Sequence, residues 1–321
     1  MMKKYIILLF LLPLWSIGQS SLLSNADKFI ETKQFAKAEE ILLNALSSNE
    51  NNTELLERIG DVYGHQKKWD KAAVYYKKIR DLKPKVANYH YKYGGVLGMK
   101  ALKNKMKAIG LIGDIKSSFM KAAELDSKHI EARWALVELF MQLPGILGGS
   151  KKKSLKYAEE LQSLSMVDGY LAKGYIYEYD NKFEKAAYYY KKAISVGGSI
   201  TCYQKLTDLY EKKMNKPEEA ISTIENSYSK HKQNALHYQI GKISADYNVQ
   251  LDKGIRSIQQ YIKNYKVSDG VPLEWAYYRI AKIYRHDRDV ANAILWVNKA
   301  LDIRKDFKEA LKEKKLIQKL K

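Results

Sequence analysis

Small and apolar residues recur along this chain at intervals of 34 residues. Gly60 and Gly94 are 34 residues apart, and so are Ala38 and Ala72. The unit that begins at Thr53 has large, small and aromatic residues at regular places in both halves: Leu56, Ile59, Gly60, Tyr63, Ala72, Tyr76, Ile79 and Pro84. A period of this length is typical of stacked helical hairpins, because one hairpin cannot bury its own apolar face.

Sterics explain why the small residues recur. Two antiparallel helices approach closely only where their side chains are small, and Gly60 and Ala72 are expected at those contacts, with Tyr63 and Tyr76 filling the volume beside them. The pattern resembles the tetratricopeptide repeat (TPR), with its large-x2-Leu-Gly-x2-Tyr opening, small twentieth residue and closing Pro. This resemblance implies an all-α fold, a right-handed α-solenoid of about eight helix-turn-helix hairpins.

The resemblance covers the chain from about residue 19 to residue 306. Eight units are predicted, and they begin near residues 19, 53, 87, 130, 167, 200, 234 and 274. Residues 307–321 follow the last unit and are rich in charged side chains. We expect this segment to form a C-terminal capping helix that shields the last hairpin from water.

The period is broken twice, by insertions near residues 98–114 and 143–154. The second contains Pro-Gly-x-x-Gly-Gly-Ser-Lys, which resembles a subgroup of exported bacterial TPR proteins and implies architecture but no activity. Its candidate anion-binding residues are Gly148, Gly149, Ser150 and Lys151, since main-chain N–H groups at a helix start attract anions. The alternative is that the two glycines only let a lengthened hairpin reverse direction.

The N-terminus has the pattern of a signal peptide. Lys3 and Lys4 precede an apolar run from Tyr5 to Trp15, which is too short to span a bilayer. Small residues follow, so residues 1–18 are predicted to be removed by cleavage after Gly18. The mature protein is therefore expected to be periplasmic or secreted, in a Gram-negative bacterium.

The charge is strongly positive: 56 Lys and Arg against 36 Asp and Glu give a formal +20. Such a balance is typical of nucleic-acid binding. An exported protein seldom meets RNA or the chromosome, so no nucleic-acid partner is expected. Many lysines fall on the predicted second helices, where they would solvate the convex outer surface.

In TPR arrays the first helices line a concave groove, and the corresponding positions here are acidic and aromatic at first and basic near the C-terminus. Aromatic side chains at such positions suit recognition of an extended peptide, although many rings at helical spacing pack in the core instead. The candidate groove contacts are Glu57, Asp61, Tyr91, Trp134, Glu138, Tyr175, Glu178, Tyr179, Tyr238, Trp275, Tyr278, Lys282 and Arg285.

Residues suited to catalysis do not form a recognisable motif. The six histidines are scattered, no H-E-x-x-H or G-x-S-x-G motif occurs, and the single Cys202 is most simply a small buried residue. We therefore expect no enzyme activity, no cofactor and no metal.

The sequence favours a non-enzymatic protein-protein interaction scaffold of the cell envelope, which binds a protein or extended peptide in its groove. Two alternatives stay open. One is an envelope adaptor whose basic convex surface contacts anionic lipid or polysaccharide. The other is a hydrolase or ligand-binding site at the glycine-rich loop 143–154.

Overall fold

A computed structural model describes the backbone of residues 12–320 and the side chains of residues 21–104 and 108–320. The first eleven residues of the predicted signal peptide therefore lie outside the described residues. Throughout the described part the secondary structure is helical, without a strand, which confirms the all-α prediction. Within the same residues no helix is both long and apolar enough to cross a membrane. The chain forms two compact units, one ending at Leu164 and one beginning at Ser165.

The first unit consists of four helical hairpins. In chain order its helices are α1 (Leu12–Glu31), α2 (Phe35–Ser48), α3 (Thr53–His65), α4 (Trp69–Leu82), α5 (Ala87–Lys103), α6 (Lys105–Leu125), α7 (Ile130–Gln142) and α8 (Lys151–Leu164). Its core is a row of buried side chains between successive helices, from Ala26 to Phe140.

The second unit contains four further hairpins and a final helix. Its helices are α9 (Met166–Tyr179), α10 (Phe183–Val196), α11 (Ile200–Asp208), α12 (Pro217–His231), α13 (Ala235–Tyr247), α14 (Leu251–Lys263), α15 (Leu273–His286), α16 (Val290–Ile303) and α17 (Lys308–Gln318). One π-helical turn, Leu209–Lys213, continues α11. The final helix α17 buries Ala310 and Ile317 against the hairpin before it.

Small residues lie where the two helices of a hairpin are closest. A Cβ atom added to Gly60 would lie 2.5 Å from the Tyr76 ring, and one added to Gly174 would lie 2.2 Å from the Tyr190 ring. Because real Cβ atoms do not approach other atoms so closely, only glycine allows the tyrosine to occupy this place. The large aromatic residue of the second helix thus packs directly on the backbone of the first.

Most hairpins turn through a residue with left-handed backbone conformation. In hairpin α3–α4 the Lys68 N–H donates a hydrogen bond to the Tyr63 carbonyl at 2.9 Å. This bond closes α3 in the manner of a Schellman turn, with Lys67 at φ 57°. The equivalent turn residues with positive φ are Lys33, Lys67, Asn181, Asn215 and Arg288.

The two lengthened hairpins turn differently. Around the insertion near 98–114 the added residues extend both helices, so that α5 has 17 residues and α6 has 21, separated by Asn104 alone. In the next hairpin the added residues form a loop with one 3-10 turn, Gly145–Leu147. Asn104 and Leu143, which end the first helices here, both have negative φ.

Candidate partner-binding surface

The acidic side chains predicted to face a groove in the first unit are paired with neighbouring helices. The Lys92 ammonium group on α5 lies 2.7 Å from carboxylate oxygens of both Glu57 and Asp61 on α3. Asp61 also accepts a hydrogen bond of 2.6 Å from the Tyr76 hydroxyl. Burial and the nearby Asp61 carboxylate raise the pKa of Tyr76 well above its usual range, so this hydroxyl remains a donor.

A similar charge pairing joins first helices of the second unit. Lys242 on α13 pairs with Glu211 at 2.9 Å, and Lys282 on α15 pairs with Asp246 at 2.8 Å. Arg279 pairs with the same Asp246 carboxylate. Burial alone would raise the pKa of Asp246, but the hydrogen bond from Lys282 and the Arg279 charge bring it below its ordinary value. Asp246 is therefore ionised and bound at neutral pH.

The two cations predicted at the C-terminal end of the groove have acidic neighbours. Lys282 shares the Asp246 carboxylate with Arg279, and Arg285 pairs with Glu313 of α17, a side chain that is almost completely buried. Arg285 therefore fixes the final helix to the last hairpin. Because Asp246 carries one charge and contacts more than one cation, part of the positive charge of this group is not balanced.

Charged pairs at a spacing of 31 residues are a further signal in the sequence. Asp27 and Arg58, Asp61 and Lys92, and Glu211 and Lys242 are each 31 residues apart, with the acid first. Each pair connects the first helix of one hairpin to the first helix of the next. Opposite charges close to one repeat length apart thus mark contacts between neighbouring hairpins.

Two predicted aromatic contacts are core residues. Tyr238 and Tyr278 are only 7% and 9% exposed, so they pack between helices and cannot form a recognition surface. Trp275 is half-buried, with its ring centroid 4.6 Å from that of Phe307. In the first unit Tyr91 is also half-buried, and its ring contacts Phe119 and His129. Packing explains these four rings without a partner.

The remaining predicted contacts include the more exposed aromatic surface. Trp134 is half-buried and Glu138 is exposed on α7. On α9 the rings of Tyr175 and Tyr179 are 6.1 Å apart, and Tyr179 is 49% exposed. Glu178 between them accepts a hydrogen bond of 2.7 Å from the Tyr190 hydroxyl. Tyr179 is the most exposed of the predicted aromatic contacts.

The glycine-rich loop uses its main-chain groups internally. The N–H groups of Gly148, Gly149 and Ser150 donate to the carbonyls of Gly145, Pro144 and Phe140 at 3.0, 3.1 and 2.8 Å. They are therefore occupied rather than directed at an anion. Ser150 also caps α8, since its hydroxyl accepts from the Lys153 N–H at 3.3 Å. Lys151 begins that helix.

Sterics account for the glycine pair of the loop. Gly148 has φ +93°, and a Cβ atom added to Gly149 would lie 1.8 Å from the Leu143 carbonyl oxygen. The loop therefore needs both glycines in order to fold back on the end of α7. This observation supports the alternative in which the glycines let the lengthened hairpin reverse direction.

Titratable side chains give little indication of chemistry. Cys202 is buried, with its sulfur 3.3 Å from the Ser199 hydroxyl. Burial lowers the pKa of His237, whose ring packs against Tyr228. Across the described residues no group of three His, Cys, Asp or Glu side chains is arranged to hold a metal ion.

The sequence profile described as Tetratricopeptide repeat matches residues 167–196 and 276–307. The chain contains tetratricopeptide repeats. These two segments are hairpin α9–α10 and hairpin α15–α16 with the turn after it. TPR repeats generally form scaffolds for protein-protein interaction, and no enzyme family is indicated. No curated protein sequence is significantly similar to this chain.

Solved structures with TPR folds resemble the chain at low sequence identity. One is a tetratricopeptide repeat protein from Parabacteroides merdae, with 15% identity and a TM-score of 0.50, covering 93% of this chain and 98% of that chain. Another is YrrB, a TPR protein with an unusual peptide-binding site, with 18% identity, coverage of 61% and 97%, and a TM-score of 0.43. A thermophilic TPR protein in Thermus thermophilus has 14% identity, coverage of 65% and 99%, and a TM-score of 0.43. These likenesses concern the fold alone.

Proposed function

We propose that this protein is an exported, non-enzymatic scaffold of the cell envelope. It binds a protein or an extended peptide on the exposed surface of its first helices, with Tyr179 as a central contact. The TPR repeats support the general role. The signal-peptide pattern of residues 1–18 supports the location, and cleavage after Gly18 would release the mature chain into the periplasm.

The observation that carries the proposal is the exposure of Tyr179. Its ring is 49% exposed on a first helix, beside the Tyr175 ring, whereas other predicted aromatic contacts are packed in the core. Tyrosine gives a large contact area at a small cost in conformational entropy, which is why it is enriched in binding sites. Tyr179, half-exposed beside the more buried Tyr175 ring, is thus a suitable contact for a partner side chain.

The paired charges influence the kind of partner that is expected. The charges near Lys92, Lys242 and Asp246 already interact with each other, so most of the charged side chains of the first-helix surface are engaged at these places. Binding should therefore depend mainly on apolar and hydrogen-bonding contacts, and it should weaken little as the salt concentration rises. This expectation separates it from adhesion through the basic convex surface.

The test is crosslinking in the cell envelope, followed by purification of the protein with its crosslinked partners. Tyr179→Ala is expected to lower partner recovery about tenfold, the effect of losing one central contact. Tyr188→Ala is the matched control, because Tyr188 is 55% exposed but lies on the second helix α10. Mass spectrometry of the recovered chain should find Gln19 at its N-terminus.

Recovery of the same partners at equal yield from Tyr179→Ala would show that the first-helix surface is not the binding site. If only Tyr188→Ala lowered partner recovery, the binding surface would lie on the second helices instead. An N-terminus at Met1 would contradict export with cleavage, without affecting the conclusion about the binding surface.

A further inference from the structure

The lengthened hairpin α5–α6 projects from the first unit. Helix α6 has 21 residues, whereas the following helix α7 has 13. At about 1.5 Å per residue, the N-terminal end of α6 therefore extends about 12 Å beyond the end of α7. Leu111 and Ala101 pack against the core and hold the base of this projection in place.

The projecting part exposes large apolar side chains. Leu102 is 69% exposed, Ile109 is 65% exposed and Met99 is 40% exposed. They lie on both sides of the turn at Asn104, so the apolar surface belongs to the end of the hairpin. Single exposed apolar residues are ordinary, but three within eleven residues of a projecting end form a local surface.

The same segment is basic and contains no acidic residue. Between Gly98 and Gly113 the sequence has four lysines and no Asp or Glu: Lys100, Lys103, Lys105 and Lys107. Lys100 pairs with Asp70 of α4 at 2.9 Å. Lys103 is exposed beside Leu102. The hairpin end therefore combines exposed apolar side chains with an excess of positive charge.

The second insertion lies on the same edge of the first unit. Both insertions connect the first helix to the second helix in successive hairpins. A Cβ atom added to Gly148 would lie 3.7 Å from the Lys116 ammonium nitrogen, which places the loop beside α6. Ile146 in this loop is 94% exposed, and three consecutive lysines, 151–153, follow it.

We propose that the insertion edge, defined as residues 98–112 and 144–153, binds the surface of an anionic phospholipid bilayer. The exposed side chains of Lys103, Lys152 and Lys153 would contact the lipid phosphates. Leu102, Ile109 and Ile146 would enter the boundary between headgroups and acyl chains. Apolar side chains flanked by lysines are the composition of segments that lie in a membrane interface. Each lysine near an anionic leaflet adds to the electrostatic attraction.

Composition favours a lipid surface over a protein partner. Protein interfaces are enriched in aromatic residues and arginine and depleted in lysine. The insertion edge has seven lysines and no arginine. The edge is also a projection rather than a concavity, which suits insertion into a soft and extended surface.

The test is co-sedimentation with vesicles that contain phosphatidylglycerol, compared with vesicles of phosphatidylcholine alone. The double variant Leu102→Asp/Ile109→Asp is expected to bind the anionic vesicles at least tenfold more weakly. Val74→Asp is the matched control, since Val74 is 64% exposed in the same unit but lies on α4. It is expected to bind within about twofold of the unmodified protein. All variants are prepared in the same form, so that the N-terminal segment contributes equally.

A fluorescent label gives a second, local measurement. Cys202 is the single cysteine, so Cys202→Ala combined with Leu102→Cys allows an environment-sensitive dye to be attached at the hairpin end. Anionic vesicles should increase its emission, and a label at Val74→Cys should show no change.

Three results would overturn the proposal. The first is an absence of binding to anionic vesicles. The second is equal loss in the double variant and in Val74→Asp, which would indicate general adhesion through the basic convex surface. The third is vesicle binding without a change in the emission of the label at Leu102→Cys. It would show that the exposed apolar residues do not enter the bilayer and would favour a protein as their partner.

Discussion

Hairpins α9–α10 and α5–α6 share one packing contact and differ beyond it. Gly174 lies against the Tyr190 ring, and Gly94 lies in the same way against the Phe119 ring. The α5–α6 hairpin then has further glycines at which an added Cβ atom would meet nothing within 4 Å: Gly95, Gly98, Gly110 and Gly113. Packing between helices thus explains Gly94 and leaves these other glycines, most of them in or next to the projecting part, without a packing role.

The difference shows which residues of the lengthened hairpin the fold requires. Glycine in a helix weakens it by about 1 kcal/mol relative to alanine, so glycines without a packing role lower stability with no structural gain. Exposed Leu102 and Ile109 lie in the same segment. Residues that contradict local rules of folding concentrate at functional sites, which is consistent with the membrane-binding role proposed for this segment.

The largest expected effect comes from the shared contact. Gly174→Ala places a methyl group 2.2 Å from the Tyr190 ring, so the ring must move out of its place between the helices. We expect a loss of about 3 kcal/mol in the free energy of unfolding, at the upper end for overpacked cores. Urea unfolding followed by circular dichroism measures it, with the midpoint shifted to lower urea concentration. A loss below about 0.5 kcal/mol would mean that the hairpin adapts easily and that the glycine is not required.

An intermediate effect is expected from two carboxylates of the first unit. Asp61 accepts bonds from Lys92 and the Tyr76 hydroxyl, whereas Asp70, which pairs with Lys100 of the lengthened hairpin, is 88% exposed at its side chain. Asp61→Asn should lower the free energy of unfolding by about 1.5 kcal/mol, because a partly buried charged acceptor is lost. Asp70→Asn should change it by less than about 0.5 kcal/mol, as for most exposed pairs.

The same urea unfolding measurement compares the two carboxylate variants directly. Equal losses would contradict the distinction between the partly buried Asp61–Lys92 pair and the exposed Asp70–Lys100 pair, both of which join hairpin α3–α4 to α5. A greater loss for Asp70→Asn would show instead that the Lys100 pair holds the projecting hairpin in place.

The contacts within each hairpin could be predicted from the sequence, because a small residue at a fixed place directly reflects a close backbone approach. Gly60 against Tyr76 is an example. From the second unit onward the first helices begin within one residue of the starts expected from the period, at Thr53, Ala87, Ile130, Met166, Ile200, Ala235 and Leu273, whereas α1 begins at Leu12 and not near residue 19.

Contacts between hairpins could not be predicted from one unit at a time. Lys282 and Arg285 look like free groove cations until Asp246 and Glu313 of neighbouring elements are brought beside them. The hairpin turns could not be predicted from residue type either, because Lys67 and Asn181 adopt the left-handed conformation that glycine most often occupies. Exposure of Tyr179, at the end of α9, and burial of Tyr238, near the start of α13, depend on the helices packed beside them, and residue type alone carries no signal of that difference.

The smallest expected effect has the opposite sign and completes the comparison. Gly113→Ala in α6 adds a methyl group at an exposed position with open space around it, so it should raise the free energy of unfolding by about 0.5–1 kcal/mol. The same substitution at Gly174 destabilises, so the pair separates a glycine that packing requires from one that it does not. Urea unfolding of both variants under identical conditions provides the measurement. If Gly113→Ala destabilised the protein instead, the projecting face of α6 would have to be packed against another part of the molecule. That face would then be part of the repeat core, and the lengthened hairpin would follow the same packing rule as the regular one.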